Sequence, residues 1–428
     1  MLQTAERAIL NKAPPGEKET ILRGVVATNF SLLKNNRFSN GTIPASIGGR
    51  YDDKHFENTV WVRDMTHAVQ FALDPDFQEA FPHLVKDAQK LYIEGMKGLL
   101  EMQTCPEQIE RFKKRPGPPN EKGYRSIGDQ QAPAIKFYGP NGSIVREWGH
   151  NQPDSWGILL LEAGKGIQQG LPVLEAERFN PGEVLANITS YLANLKVERL
   201  MCRSIWERDY LESPSSSRRT VLAGLEEMLE VWDQIEQDSQ KKTYSLPINQ
   251  KEILTAAKSL RNLVREHSGD YTDTDHPFAE DLAQLVVLDD VDLPVDEQTA
   301  IIKAIAMGEL ENNLGCYRWI GDSWKKEGTE AKWTMGKSFI ARYYLKRARI
   351  LAKTDSSASH RYLDHGLDRI QHILNIMEDY NYLPELFMYG PKTMTYRPNR
   401  NDLAWGRSAN IRALSSAVCT LTQLKEAA

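Results

Sequence analysis

Cysteine is scarce in this chain, and the four present (Cys105, Cys202, Cys316 and Cys419) stand far apart, with no Cys-x-x-Cys pair and no histidine at ligand spacing. That argues against a zinc site and a disulfide framework, and it suits a reducing compartment. Long apolar runs are missing as well. No stretch of about 18 apolar residues occurs, so no membrane span is expected. The N-terminal "MLQTAERAILNKAPPGEKET" lacks the apolar segment of a signal peptide, and a cytoplasmic location is therefore the expectation. Nor does one sign of charge dominate: 53 Lys and Arg face 58 Asp and Glu. This leaves no footprint for nucleic acid or for an anionic membrane. Strand signals are few and short, the best being "GSIVREW" at 142–148.

Helical periodicity fills the space these absences leave. In 221–235 the apolar residues Val221, Leu225, Met228, Leu229, Trp232 and Ile235 fall at offsets 0, 4, 7, 8, 11 and 14, one face of an α-helix. Similar stretches begin near Lys18, Trp61, Leu84, Pro153, Pro181, Glu252, Ala279, Asp296, Trp333, His360 and Leu403, about twelve helices in all, with boundaries good to about two to four residues. Pro153, Pro181 and Pro294 sit where a helix would start and a missing N–H does no harm. The pattern predicts an all-α fold rather than α/β, in which strands would recur between the helices. No linker divides the chain, so 1–428 reads as a single domain. Its longest irregular stretch is 104–146, with "KKRPGPPNEKGYRSIGD" and "YGPNGS", expected to be a long loop.

Five clusters rich in aromatic and polar residues fall at helix ends or in the turns between helices. They are "VWVRD" (60–64), "EWGHNQPD" (147–154), "SIWERD" (204–209), "YRWIGDSW" (317–324) and "LPELFMYG" (383–390), the last followed by "NDLAWGRS". Trp61, Trp148, Trp156, Trp206, Trp319, Trp324 and Trp405 lie in or beside them, seven of the nine tryptophans. Any one cluster is explained by aromatics capping a helical core and Arg–Asp pairs tying loops. Five of one composition suggest loops gathered at one end of a helical assembly. Indoles beside carboxylates, amides and arginines are what a sugar site needs: the C–H face of a pyranose packs on an indole, and its hydroxyls need bidentate acceptors and planar donors.

Hydrolysis of a glycosidic bond with inversion uses two carboxyl groups, one protonated to donate to the leaving oxygen and one ionised to activate water. Glu207 directly follows Trp206, and packing on an indole would raise its pKa. Arg203 and Arg208 would oppose that if they point inward, so the direction stays open. Glu385, in "LPELF", has no cation within five residues on either side and is the best partner in the C-terminal half. Both proton transfers can be done by side chains, so neither cofactor nor metal is called for. Other acidic stretches have plain readings. "VLDDVD" (287–292) superficially resembles an Asp-rich magnesium motif but is expected to end a helix in a solvated turn. "DYTDTDH" (270–276) lacks the Gly and distal Glu of a calcium loop.

The five clusters, in this order, resemble the glucoamylase family of glycoside hydrolases (family 15) and its relatives, the α and β regulatory subunits of phosphorylase kinase. The resemblance spans about residues 20–425. It implies an (α/α)6 toroid with the active site at one end. It also implies an exo-acting, inverting hydrolase of α-glucosidic bonds that releases β-glucose from α-linked gluco-oligosaccharides or polysaccharides. In these terms Arg63 and Asp64 hold the terminal sugar, Trp148 is a sugar platform, and Gln152 and Asp154 support the site. Glu207 is the general acid, Arg318 and Asp322 anchor sugar and loop, Glu385 is the general base, and Trp405 begins the last helix. Trp61 and Trp206 would supply further apolar walls. His150 is either a substrate donor or a structural residue of its loop. Arg208 stands where many glucoamylases carry a second carboxylate, and Ser204 where an Asp often stands. "IWER" and "WGHNQPD" lie closer to the phosphorylase kinase subunits. A non-catalytic carbohydrate-binding or regulatory protein is thus the alternative, and an enzyme acting on trehalose or isomalto-oligosaccharides a further one.

Overall fold

The computed structural model describes residues 13–47, 58–139, 141–197, 200–203, 215–266, 281–291, 293–306, 311–318, 331–390, 395–399 and 401–427. Among these, the helices are α1 (Pro15–Asn35), α2 (Val62–Gln70), α3 (Pro75–Ala80), α4 (Val85–Met102), α5 (Pro106–Phe112), α6 (Pro153–Gln168), α7 (Pro181–Leu195), α8 (Ser215–Lys242), α9 (Gln250–Glu266), α10 (Asp281–Asp290), α11 (Val295–Ala306), α12 (Met335–Leu351), α13 (Ser356–Tyr380) and α14 (Ala404–Ala427). Each of the twelve helices expected from periodicity is present. The two additions, α3 and α5, are six and seven residues long, too short for a periodic pattern to show.

The packing partners order these helices into two rings. α2, α6, α8, α10, α12 and α14 touch in sequence and close on themselves through the α14–α2 contact; α1, α4, α7, α9, α11 and α13 lie outside them. This is an (α/α)6 toroid, and the burial of each helix shows why. Every residue of α2 is buried, as is every residue from 401 to 421, so these inner helices are covered on all sides. In the outer helix α9 only Ile253, Ala257 and Leu260 are buried, the single stripe of a helix with one face in water.

α6 and α8 cross closely through two glycines. A Cβ on Gly157 would lie 2.6 Å from the backbone oxygen of Thr220, and one on Gly224 would lie 2.4 Å from the backbone oxygen of Gly157. Gly157→Ala is therefore expected to lower stability by about 1–3 kcal/mol, because backbone cannot move aside as a side chain can. Gly24→Ala, on an open helix face with nothing within 4 Å, is the control and should be neutral or slightly stabilising. Thermal denaturation of the two variants checks this.

The strands are short. β1 (Thr59–Trp61) pairs antiparallel with β3 (Lys136–Tyr138), and β2 (Arg125–Ser126) pairs parallel with β4 (Leu200–Met201). β5 (Glu311–Asn312), β6 (Gly315–Cys316), β7 (Ala331–Trp333), β8 (Leu386–Gly390) and β9 (Thr395–Pro398) form one five-stranded antiparallel sheet in chain order. The strand expected at 142–148 amounts to a single bridge, Ile144 to Phe137; the regular strand falls earlier, at β3. The 104–146 stretch contains α5, β2 and β3, and much of its backbone is tied by side chains rather than ladders. Gln108 donates to the Ala134 carbonyl at 3.1 Å and accepts from its N–H at 2.8 Å, while Arg111 donates to the Ala132 carbonyl at 2.9 Å. Backbone groups satisfied in this way need no periodic pattern, so none is visible in the sequence.

Away from their N-terminal ends, the inner helices α2, α6, α10, α12 and α14 converge on a buried ionic network. Arg412 reaches Asp74 (3.2 Å), Asp289 (2.7 Å) and the Gln70 side-chain oxygen (2.7 Å). Arg342 pairs with Asp74 and Asp289, and Gln70 donates to Asp290 (2.7 Å) and Glu162 (3.0 Å). These groups line a cavity of about 360 Å³. Asp289 and Asp290 do end a helix, as "VLDDVD" led one to expect, but not in a solvated turn: their side chains are buried among arginines from α12 and α14. "DYTDTDH" lies outside the described residues. None of the described helices is long and apolar enough to cross a membrane.

Candidate active site

The opposite, N-terminal ends of the inner helices carry most of the residues singled out in the sequence. Trp61 ends β1 and the chain turns directly into α2, which places Arg63 and Asp64 in its first turn. There an acidic side chain is favoured by the helix dipole. The Arg63 guanidinium donates to Asp64 at 3.1 Å and to the Gln152 side-chain oxygen at 3.2 Å, and lies over the Trp405 ring at 5.6 Å. One cation thus ties the starts of α2, α6 and α14 together. Trp61 and Trp148 meet edge to face at 5.8 Å. Among the described residues, no group accepts from the buried indole N–H of Trp148.

Glu385 immediately precedes β8, and its main chain is held from two sides. Its N–H donates to the Asn401 carbonyl at 2.8 Å, and its carbonyl accepts from the Thr334 N–H at 3.1 Å and the Thr334 hydroxyl at 3.2 Å. The side chain is buried. Oε2 accepts from Asn399 Nδ2 at 2.8 Å and Asn401 Nδ2 at 2.9 Å, whereas none of the described residues donates to Oε1. Burial pushes the carboxyl up, the two amides oppose it, the Asp64 charge adds to it and Arg318 opposes it; the outcome is a pKa of about 7. Arg318, which follows β6, packs its guanidinium on Trp333 at 4.6 Å.

The structure therefore brings Arg63, Asp64, Gln152, Arg318, Glu385 and Trp405 together, and the Trp61–Trp148 pair lies in the chain segments that lead into Arg63 and Gln152. Asp154 lies one layer deeper, accepting from the Ser217 hydroxyl at 3.2 Å and so anchoring the start of α8. His150 has both ring nitrogens engaged by backbone, Nδ1 with the Ile135 N–H (3.4 Å) and Nε2 with the Val145 carbonyl (2.9 Å). Burial, with help from Arg111, depresses its pKa to about 4, so the ring is neutral and braces its loop. Trp206, Glu207, Arg208 and Asp322 lie outside the described residues.

Sequence reasoning missed Lys136, whose ammonium sits between the two indoles, 4.0 Å from the Trp61 ring and 3.8 Å from the Trp148 ring. It also missed Asn399 and Asn401. The only signal for the asparagines was an amide-rich stretch just ahead of a helix; Lys136, on β3, gave none. A groove of about 1510 Å³ between α1, α4 and α8 shares no lining residue with this cluster.

No family model matches the chain, and no curated protein matches it in sequence. Solved structures do match in fold. The glucoamylase from Saccharomycopsis fibuligera superposes with a TM-score of 0.65 at 13% identity over 99% of this chain and 97% of its own. A wild-type glycosidase gives 0.63 at 15% identity over 94% and 98%. The family 15 glucoamylase from Hypocrea jecorina gives 0.58 at 12% identity over 95% and 73%. A variant glycosidase that aligns equally well, with a TM-score of 0.63, was solved in complex with glucose. Over nearly its whole length, then, the chain has the helical toroid of the glucoamylases.

Proposed function

We propose that this chain is an exo-acting, inverting hydrolase of α-glucosidic bonds that releases β-glucose from the non-reducing end of an α-glucan or oligosaccharide. The observation that carries the reading is Glu385: a buried carboxyl group with one oxygen clamped and the other open, set near Asp64 and Arg318. In this reading Glu385 Oε1 takes a proton from water, the water oxygen bonds to the anomeric carbon, and the glycosidic bond breaks as its oxygen takes a proton from Glu207.

Arg63 and Asp64 hold the 4- and 6-hydroxyl side of the terminal glucose and block the pocket there, which makes the enzyme exo-acting. Trp61 and Trp148 are the apolar walls. Gln152 and Trp405 fix Arg63, and Asp154 fixes the helix that follows the Glu207 segment. Arg318 faces the sugar from the sheet side. Trp206, Arg208 and Asp322 keep the roles their motifs suggest, as further wall, second-subsite contact and loop anchor. His150 is assigned to its loop rather than to substrate. The fold shared with the glucoamylases supports this reading.

Incubation with maltose, maltotriose, isomaltose and trehalose, following the anomer released, tests it. β-Glucose from one of them, abolished by Glu207→Gln, is the expected result. α-Glucose would mean retention. Sugar binding without release would favour a non-catalytic protein of the phosphorylase kinase subunit type.

A further inference from the structure

Glu385 is held by a device that the proposed reaction does not itself require. Two carboxamides from one short segment, Asn399 and Asn401, both donate to the same carboxylate oxygen, Oε2. Asn399 cannot turn its amide around at no cost, because its own Oδ1 accepts from the Leu386 N–H at 3.2 Å and its main chain donates to the Leu386 carbonyl at 3.0 Å. The Tyr382 hydroxyl braces the Asn399 carbonyl at 2.6 Å. Asn401 is fixed by its carbonyl, which accepts from the Glu385 N–H at 2.8 Å. Its Oδ1 is buried and takes no partner among the described residues. Turning that amide would point an oxygen at the carboxylate and leave two donors idle, so the charged form of Glu385 keeps it in place.

We propose that Asn399 and Asn401 are positioning residues that act through Glu385. By donating to Oε2 alone they favour the ionised carboxylate in a buried setting and leave Oε1 as its one basic oxygen. The inference rests on the reading of Glu385 as the base. Donors to the charged form stabilise that form, and charge-assisted hydrogen bonds are about twice as strong as neutral ones. Among the described residues, the other charges facing Glu385 are Asp64, itself paired with Arg63, and Arg318. The nearby Asp402 carboxylate is taken up by Arg407 at 2.6 Å. The neutral amides are thus the groups that touch the carboxylate directly, and Asp64 opposes its ionisation.

The test is an infrared pH titration of the carboxyl band that disappears in Glu385→Gln, run beside the pH profile of kcat/KM on the substrate found active. Asn401→Leu removes one donor at similar size, and Asn401→Asp replaces it with an acceptor of the same shape. The expected result is an upward shift of the Glu385 midpoint by about one pH unit or more in each, larger for Asp, with the acid limb of the activity profile moving equally. Activity would then fall about tenfold or more on that limb and much less on the plateau. If both variants fold, as judged by circular dichroism, and the midpoint stays put while activity falls uniformly with pH, the asparagines are merely structural and the proposal is overturned. If the midpoint shifts but the wild type releases sugar from no substrate, the clamp stands and the hydrolase reading fails.

Discussion

Glu385→Gln is expected to gain stability and lose activity together, each measurably and only over the right pH range. The pKa of about 7 against an ordinary 4.5 means that the folded state keeps a proton which the unfolded chain gives up between those values. Stability therefore falls as pH rises from 4.5 to 7, and the full deficit, on the order of 3 kcal/mol, persists above it. An amide removes the ionisation, and its oxygen can accept the two asparagine donors in place of Oε2. At pH 8 the variant should be more stable by about 1–3 kcal/mol, or about 1–3 °C in Tm for a chain of this size. Below pH 4.5 the difference should vanish. Its turnover should drop by about 10²–10⁴-fold, the contribution of a positioned acid–base group. In the wild type the same group predicts activity that rises through pH 7, since a base must be ionised to act. Calorimetry at pH 4 and 8, with rates across pH 5–9, checks every part. Equal Tm values at both pH values, or full activity at pH 5, would remove Glu385 from the role assigned here.

Arg412→Met should be strongly destabilising although it lies far from the candidate active site. Arg412 and Arg342 together pair with Asp74 and Asp289 at the end of the inner ring opposite the candidate site, where burial would otherwise make those charges untenable. Removing one arginine leaves buried carboxylates under-compensated, a loss of about 3–5 kcal/mol. Arg146→Met is the contrast, because its pair with Glu107 is exposed and should matter by less than about 1 kcal/mol. The network also sets an acid limit. Burial alone would push Asp74 up, but Arg342 and Arg412 outweigh it and hold its pKa at about 2, below the ordinary 3.8. Its contribution is therefore complete above pH 3.8 and lost as pH falls through 2. Urea denaturation of wild type and variant between pH 2 and 7 measures both effects. A loss under 1 kcal/mol in Arg412→Met would show that the arginines are not what holds the helices together there.

The sequence determined a good deal of this molecule without help. Amphipathic periodicity is local, and so the twelve helices of the two rings could be read from it, with Pro153, Pro181 and Pro294 marking starts. The clusters at the starts of α2, α6 and α14 were legible for the same reason, whereas "LPELFMYG", expected at a helix junction, runs into strand β8; Glu385 itself stood out through the absence of nearby cations. What tertiary structure decided are pairings between residues far apart in the chain. Nothing near "VLDDVD" announces that Arg342 and Arg412 will bury Asp289 and Asp290. Nothing near "LPELF" says that Asn399 and Asn401 will take one oxygen of Glu385 and spare the other. His150 looked equally suited to substrate and to its loop until the Ile135 N–H and Val145 carbonyl were found on its two nitrogens. A side chain's type is written in the sequence, but its protonation and its free valences depend on which neighbours the fold delivers, and those are set by the closing of the ring.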